Sequence, residues 1–374
     1  MNYREIKTEE QLQEILSTEP DKPLKKVAFT GLDLSKHEQE VLQHDYDSCI
    51  FLGCKMAHGL KRKLTNSLVF PNMGELFQFR STLYTAENLY DEYKIGDYAS
   101  MKQCYDQKVY KHYLARGKQA TDIKETLART LHDHSISNAL HEFLSHYREE
   151  DIVGVMGGHQ ISRCDAQYEA VAHISKRLTE AGKLMISGGG PGAMEATHLG
   201  AWMAGRNDEE MKDALNILAQ APTFSNPAWL DAAMIVRDKY PQTHFHSVGI
   251  PTWLYGHEPA TPFATDIAKY FDNSIREDGI LTIAKGGIIY TPGSAGTLQE
   301  IFQEAVQNHY LTYGYASPMV FMNRYYWMEE VPIFPLIADL IKRGKYKNLI
   351  VSISDDEQTV ADEILKFHPS NEQI

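Results

Sequence analysis

Cysteine is scarce and poorly spaced for cross-linking or metal chemistry. Cys49, Cys54, Cys104 and Cys164 are the four in 374 residues, and no two stand in C-x-x-C spacing. Neither a disulfide framework nor a zinc ribbon is expected, and the four read as reduced thiols. Long apolar runs are also missing. The opening Met1-Asn2-Tyr3-Arg4-Glu5-Ile6 has no secretory stretch, and no later run approaches the roughly 20 residues of a membrane span. A cytoplasmic protein without a membrane partner is therefore expected. Positive charge is in deficit, with 37 lysines and arginines against 50 acidic residues and a formal net charge of −13. Such a balance argues against a broad nucleic-acid surface, which depends on neutralising phosphates, but leaves room for a local basic pocket holding one small anion.

What is present is enough chain for two globular domains with a sizeable core. The polar run Arg148-Glu149-Glu150-Asp151 precedes a new apolar strand and suggests a division into 1–150 and 151–374. In the first part, Thr8 to Ile15 reads as a short helix, and Val27–Leu34, Cys49–Cys54 and Leu68–Phe70 read as short strands. The spacing Phe29-x-x-Leu32-x-Leu34 is echoed in Cys49-x-Phe51-Leu52-x-Cys54. Two imperfect copies suggest stacked β-coils without establishing a repeat. From Met73 to Tyr147 the pattern is mainly helical, with Leu76, Phe77, Leu83 and Leu89 in one segment and Ile123, Leu127 and Leu131 in another. His132, His134, His141 and His146 lie close in sequence, with Glu142 among them, but ordinary helix positions explain them better than a metal site, and no metal is expected. No motif assigns chemistry to this half; regulation or oligomerisation is the expectation left.

The second part alternates strand and helix. Ile152-Val153-Gly154-Val155-Met156 reads as a buried strand ending at Gly157-Gly158-His159, followed by helical spacing through Tyr168, Val171, Ile174 and Leu178. Leu184-Met185-Ile186-Ser187 leads into Gly188-Gly189-Gly190-Pro191-Gly192 and another helix, and Gly287-Ile288-Ile289-Tyr290 leads into Thr291-Pro292-Gly293-Ser294-Ala295-Gly296-Thr297-Leu298-Gln299-Glu300. The order predicts an α/β fold with a doubly wound parallel sheet, preceded by a smaller, mostly helical part, with any ligand beyond the carboxyl ends of the strands. At the last turn, glycines and unpaired helical N–H groups suit a phosphate or carboxylate. Thr297 and Glu300 also have capping-box spacing, so a well-made helix start explains the same residues. A dinucleotide fingerprint fits poorly, because Gly157-Gly158-His159-Gln160-Ile161-Ser162 lacks the third glycine and no ribose-binding acid is clear.

Taken together, these turns resemble the LOG (Lonely Guy) family, also described as lysine-decarboxylase-like. The family pattern P-G-G-x-G-T-x-x-E is matched by Pro292 to Glu300 with Ser294 in place of the second glycine, and the family's triple-glycine turn with a following methionine is matched by Gly188 to Met194. Arg276 stands where the family has an arginine, although Glu277 replaces the usual lysine after it. The resemblance spans about residues 151 to 360, including Pro318 to Tyr326, which looks like the family's late strand and its aromatic turn, and the long segment Arg206–Asp272 is similar to that of the larger bacterial nucleotide nucleosidases of this family. It implies a Rossmann-type nucleoside 5′-monophosphate phosphoribohydrolase acting on a purine or pyrimidine nucleotide, without cofactor, and forming a homodimer or larger homo-oligomer. The implied catalytic pair is Glu300 and Arg276. The implied nucleotide-binding set is Gly293, Ser294, Gly296, Thr297, Gly188, Gly189, Gly190, Gly158 and His159.

Within the long segment, prolines suggest ordered loops around the strand His246 to Ile250, and Trp253, Tyr255, His257 and Glu258 follow it on the presumed ligand rim. An aromatic there can stack on a base or simply pack the insertion. Two other readings stand beside the hydrolase: a nucleotide-binding or carrier protein, for which Ser294 and Glu277 would be the marks, and single-stranded DNA binding, which the acidic balance disfavours.

Overall fold

The computed structural model describes residues 3–17, 22–74, 76–77 and 79–369. In the first part, three successive bends build a small coil. Strands β1 (Arg4–Ile6), β2 (Leu24–Lys25), β3 (Val27–Thr30), β4 (Tyr46–Asp47), β5 (Ile50–Leu52), β6 (Leu64–Thr65) and β7 (Leu68–Phe70) sort into two parallel sheets, ordered β1-β3-β5-β7 and β2-β4-β6. At each corner a residue adopts positive φ, namely Lys26, Ser48 and Asn66. The two copies legible in sequence are thus joined by a third, at 64–70. Inside, Phe29 and Phe51 stack at 5.0 Å, and Tyr46 meets both rings edge-on. This stacking supplies the packing that such short strands cannot supply alone.

The helical reading of 73–89 is met only at Ala86–Leu89, because the other described residues there form turns and loop; residues 75 and 78 lie outside the described residues. Longer helices follow at Tyr105–Arg116 and Ile123–Leu144. On the second of these, His132 is buried and its Nδ1 lies 2.9 Å from Asp133, and among the described residues no three His, Cys, Asp or Glu side chains gather as metal ligands.

Two compact units result, Met1–Leu83 with Leu114–Phe143, and Tyr84–Tyr113 with Leu144–Ile374. This division differs from a single cut near residue 150, and the reason is long-range bonding by the Tyr84–Tyr113 segment. Tyr84 and Ile267 exchange backbone hydrogen bonds of 2.9 and 2.7 Å, and the Tyr90 hydroxyl donates to the Ala260 carbonyl. Asp106, fully buried, accepts from Lys269 Nζ at 2.5 Å and from Trp253 Nε1 at 2.9 Å, while Lys269 itself is fully buried over the Trp253 ring.

The second unit holds a seven-stranded, wholly parallel sheet of β8 (Ile152–Met156), β9 (Leu184–Ser187), β10 (Ser247–Gly249), β11 (Asp266–Ile267), β12 (Ile288–Tyr290), β13 (Pro318–Met322) and β14 (Ile350–Ser354). Its order is β11-β10-β9-β8-β12-β13-β14. The chain winds outward from β8 to one edge, returns to β8's other side, and winds to the opposite edge. β8 and β12 therefore flank the point where strand order reverses, and the crevice beyond their carboxyl ends is where such sheets bind ligands. The segment expected to be loops around one strand also carries helices at Asp208–Ala219 and Trp229–Lys239, the first opened by a capping box between Asn207 and Glu210. Among the described residues no helix is long and apolar enough to cross a membrane.

The buried Lys269–Asp106 pair gives a direct test of this assignment. Asp106→Ala leaves the ammonium buried without its counter-charge, and denaturant unfolding should show a loss of about 3–5 kcal/mol. The double variant Asp106→Leu with Lys269→Met should recover most of that loss.

Candidate active site

Three turns converge beyond β8, β9 and β12. The Gly158 N–H donates to the Pro292 carbonyl at 2.9 Å, and the Ala193 N–H donates to the Gly158 carbonyl at 3.2 Å, so the β8 turn is held by both neighbours. The approach leaves no room for side chains: a Cβ at Gly157 would strike the Thr291 hydroxyl, and one at Gly192 would strike the Gly158 carbonyl. Beneath the triple-glycine turn, the buried His198 ring bridges Ser187 and Ser247 at 2.8 and 2.9 Å, and burial lowers its pKa to about 3. It is a neutral strut that fixes β9 against β10, while the Ser187 hydroxyl also accepts from the Gly189 N–H.

A cavity of about 210 Å³ opens among these turns, lined by Gly158, His159, Gly188, Tyr255, Glu258, Arg276, Ser294, Gly296, Thr297 and Glu300, with Met156 and Met194 at its wall. Eight of the eleven expected site residues are thus brought together. Gly189, Gly190 and Gly293 do not line it. Gly189 has positive φ and packs against Gly249 and Pro251, Gly190 lies against Met194, and Gly293 covers the Thr297 side chain while its carbonyl accepts from the Tyr326 hydroxyl at 2.6 Å. Of the aromatics on the rim, Tyr255 faces the cavity. Trp253 is fully buried and stacked on Phe271, so it is packing.

The helix Ala295–Tyr310 begins differently from the capping-box reading. Its N-cap is Ser294, without a side-chain cap bond, and Thr297 already lies inside the helix. A box would need Thr297 one turn earlier, outside the helix, so Glu300 has no capping duty. Its carboxyl instead lines the cavity, half-buried, with its pKa lifted to about 7. Burial raises it most, the Arg276 charge opposes that, and Glu277 adds to it. One turn on, Glu304 is buried and is likewise lifted to about 7 by burial, with its Oε1 accepting from the Ser317 hydroxyl at 2.8 Å.

Arg276, on the helix Asn273–Ile283, donates from Nε to the Ile250 carbonyl at 3.1 Å. That bond turns the rest of the guanidinium over Gly188, where a Cβ would collide with it. Glu277 lies 3.9 Å from Arg276 and accepts from Gln299, so the residue that departs from the family pattern touches the arginine's charge. The crevice thus combines one cation, a helix N-terminus whose first N–H groups have no partner within the helix, and a carboxyl that titrates near neutrality. That set can hold an anion and place a proton acceptor beside it.

Sequence reasoning missed Met156 and Met194 as cavity walls and Tyr326 as the group fixing the glycine turn. Both carry a signal: Met194 is the methionine of the matched triple-glycine motif, and Tyr326 ends the stretch that looks like the family's late strand and aromatic turn.

Gly296 separates structure from ligand binding. A Cβ there meets nothing within 4 Å, and the residue lies in the helix and on the cavity wall. Gly296→Ala should leave stability unchanged or raise it by up to about 1 kcal/mol in thermal unfolding. The same variant keeps the backbone N–H but puts a methyl group on the cavity wall; by holding the anion out of reach of one N–H it should weaken binding at the helix start at least about tenfold by calorimetry, a hydrogen bond to a charged group being worth about 1.5–3 kcal/mol.

No family model and no curated protein matches the chain. Among solved structures it is similar to the molybdenum cofactor binding protein from the phototrophic bacterium Rippkaea orientalis, at 15% sequence identity and a TM-score of 0.35, over 56% of this chain and 92% of that one.

Proposed function

We propose that this protein hydrolyses the N-glycosidic bond of a purine or pyrimidine nucleoside 5′-monophosphate, giving free base and ribose 5-phosphate, as its resemblance to the LOG family implies. The observation that carries the reading is Glu300: a carboxyl without capping duty, lining the crevice at the strand-order reversal and subject to the charge of Arg276.

In this reading the 5′-phosphate accepts hydrogen bonds from the N–H groups at the start of the helix Ala295–Tyr310, around Ser294, Gly296 and Thr297. Arg276 holds the ribose or phosphate through its nitrogens other than Nε. As the C1′–N bond breaks, its electron pair leaves with the base, which takes a proton, and positive charge grows on the ribose. The Glu300 carboxylate stabilises that charge more strongly in the transition state than in the ground state. It also accepts a proton from the water whose oxygen bonds to C1′ and then releases it, so that one water supplies both the hydroxyl on C1′ and, in sum, the proton on the base. A pKa of about 7 leaves a substantial carboxylate fraction at neutral pH.

Nucleotide binding without turnover is the second reading, and the Glu277 contact to Arg276 favours it, because it draws on the charge of the arginine that the resemblance pairs with Glu300 in catalysis while leaving the helix start to hold the phosphate.

The test is incubation of the pure protein with a panel of nucleoside monophosphates and chromatographic detection of free base. Release of base supports hydrolysis; tight nucleotide binding with no base released from any of them would leave the binding protein. Because the carboxylate is the working form, kcat/KM should rise about tenfold per pH unit below about 7 and level off above it. Glu300→Gln should lower kcat by at least about 100-fold in a folded protein and abolish that rising limb.

A further inference from the structure

A second cavity, also of about 210 Å³, adjoins the first. His159 lines both. Its ring meets Phe224 edge-on at 6.0 Å in the second cavity, and its Nδ1 lies 3.7 Å from Glu258 in the first. Pro191 and Gly192, which continue the triple-glycine turn, face the second cavity, whereas Gly188 faces the first.

The two cavities differ in chemistry. The first is lined by Arg276, Glu300, Glu258 and the helix start. The second has walls of Ile161, Pro191, Pro222, Phe224 and Trp229. Its floor is a closed ion pair: Arg163 donates to both Glu195 oxygens, at 2.9 and 2.5 Å, and to the Ala221 and Trp229 carbonyls, while the Tyr168 hydroxyl donates to Glu195 at 3.0 Å. The Arg163 guanidinium lies 4.7 Å from the Trp229 ring centroid and holds that ring in place. With its charge neutralised by Glu195, Arg163 offers little to a second anion. Apart from that ion pair and His159, the polar side chains of the lining are exposed ones, Gln160 with Thr223 and Ser225, whose hydroxyls lie 2.9 Å apart.

We propose that this second cavity is the base subsite, taking the flat heteroaromatic ring of the nucleotide whose ribose phosphate occupies the first; this rests on the function proposed above. Size supports the division. Alone, the first cavity falls below the roughly 300–1,000 Å³ usual for small-molecule sites, and together the two fall within it. A planar ring suits walls made by Phe224, Trp229 and two prolines. The hydroxyls and amide at the mouth can meet its polar edge.

The experiment is calorimetric titration of the full chain with adenosine 5′-monophosphate and with ribose 5-phosphate, for the native protein, Phe224→Ala and Phe224→Tyr, with thermal unfolding as the folding control. Phe224→Ala should weaken nucleotide binding about five- to 150-fold, the range of one base–aromatic stack. Ribose 5-phosphate binding should stay within about twofold, and Phe224→Tyr should bind the nucleotide nearly as the native protein does. Unchanged nucleotide binding in Phe224→Ala would put the base elsewhere and overturn this inference while leaving the proposed function standing. An equal loss of both ligands would show Phe224 shaping the first cavity through His159, and would also overturn it. A native protein that binds neither ligand would remove the proposed function, and this subsite with it.

Discussion

The close approach of three backbone turns is the constraint on which the site depends. Gly157 against Thr291, Gly192 against Gly158 and Gly188 against Arg276 are contacts that any Cβ would break. They bring the carboxyl ends of β8, β9 and β12 together at the reversal of strand order, where a parallel sheet leaves an opening that it must line with something. Here the lining includes a helix N-terminus, one arginine and three glutamates, Glu258, Glu277 and Glu300. The glycines serve two purposes: some admit a ligand, as at Gly296, and others, such as Gly189 packed on Gly249, only let the turns touch.

The electrostatics follow from that packing. Crowding by the turns withdraws water from Glu300, and burial outweighs the opposing charge of Arg276 to lift the carboxyl towards neutrality. The surroundings of the turns are kept rigid by groups that do not reach the cavity. His198 is locked between two serines, and the Arg163–Glu195 pair braces the wall beside the β8 turn. Preorganised groups of this kind cost little reorganisation when a charged ligand arrives.

The second unit was largely legible because buried parallel strands are continuous apolar runs: 152–156, 184–187, 288–290 and 318–322 all announce themselves. The helices at 208–219 and 229–239 are less legible, although Asn207 and Glu210 carry a capping signal, because the prolines of this segment favour loops. Thr297 and Glu300 show the reverse error. Their spacing is that of a cap, yet the helix starts two residues before Thr297, and spacing alone does not fix where a helix starts. The first unit was harder to read. Lys26, Ser48 and Asn66 turn its coil with positive φ, a conformation no sequence rule assigns to lysine or serine. The membership of 84–113 in the second unit rests on partners more than a hundred residues away, such as Lys269 for Asp106, which local patterns do not carry.

A crystal structure of the protein with ribose 5-phosphate tests the central claim most directly. The account predicts the phosphate against the N–H groups of Gly296 and Thr297, with the sugar between Arg276 and Glu300. A phosphate bound away from the start of that helix, or a sugar that leaves Glu300 facing only water, would contradict it.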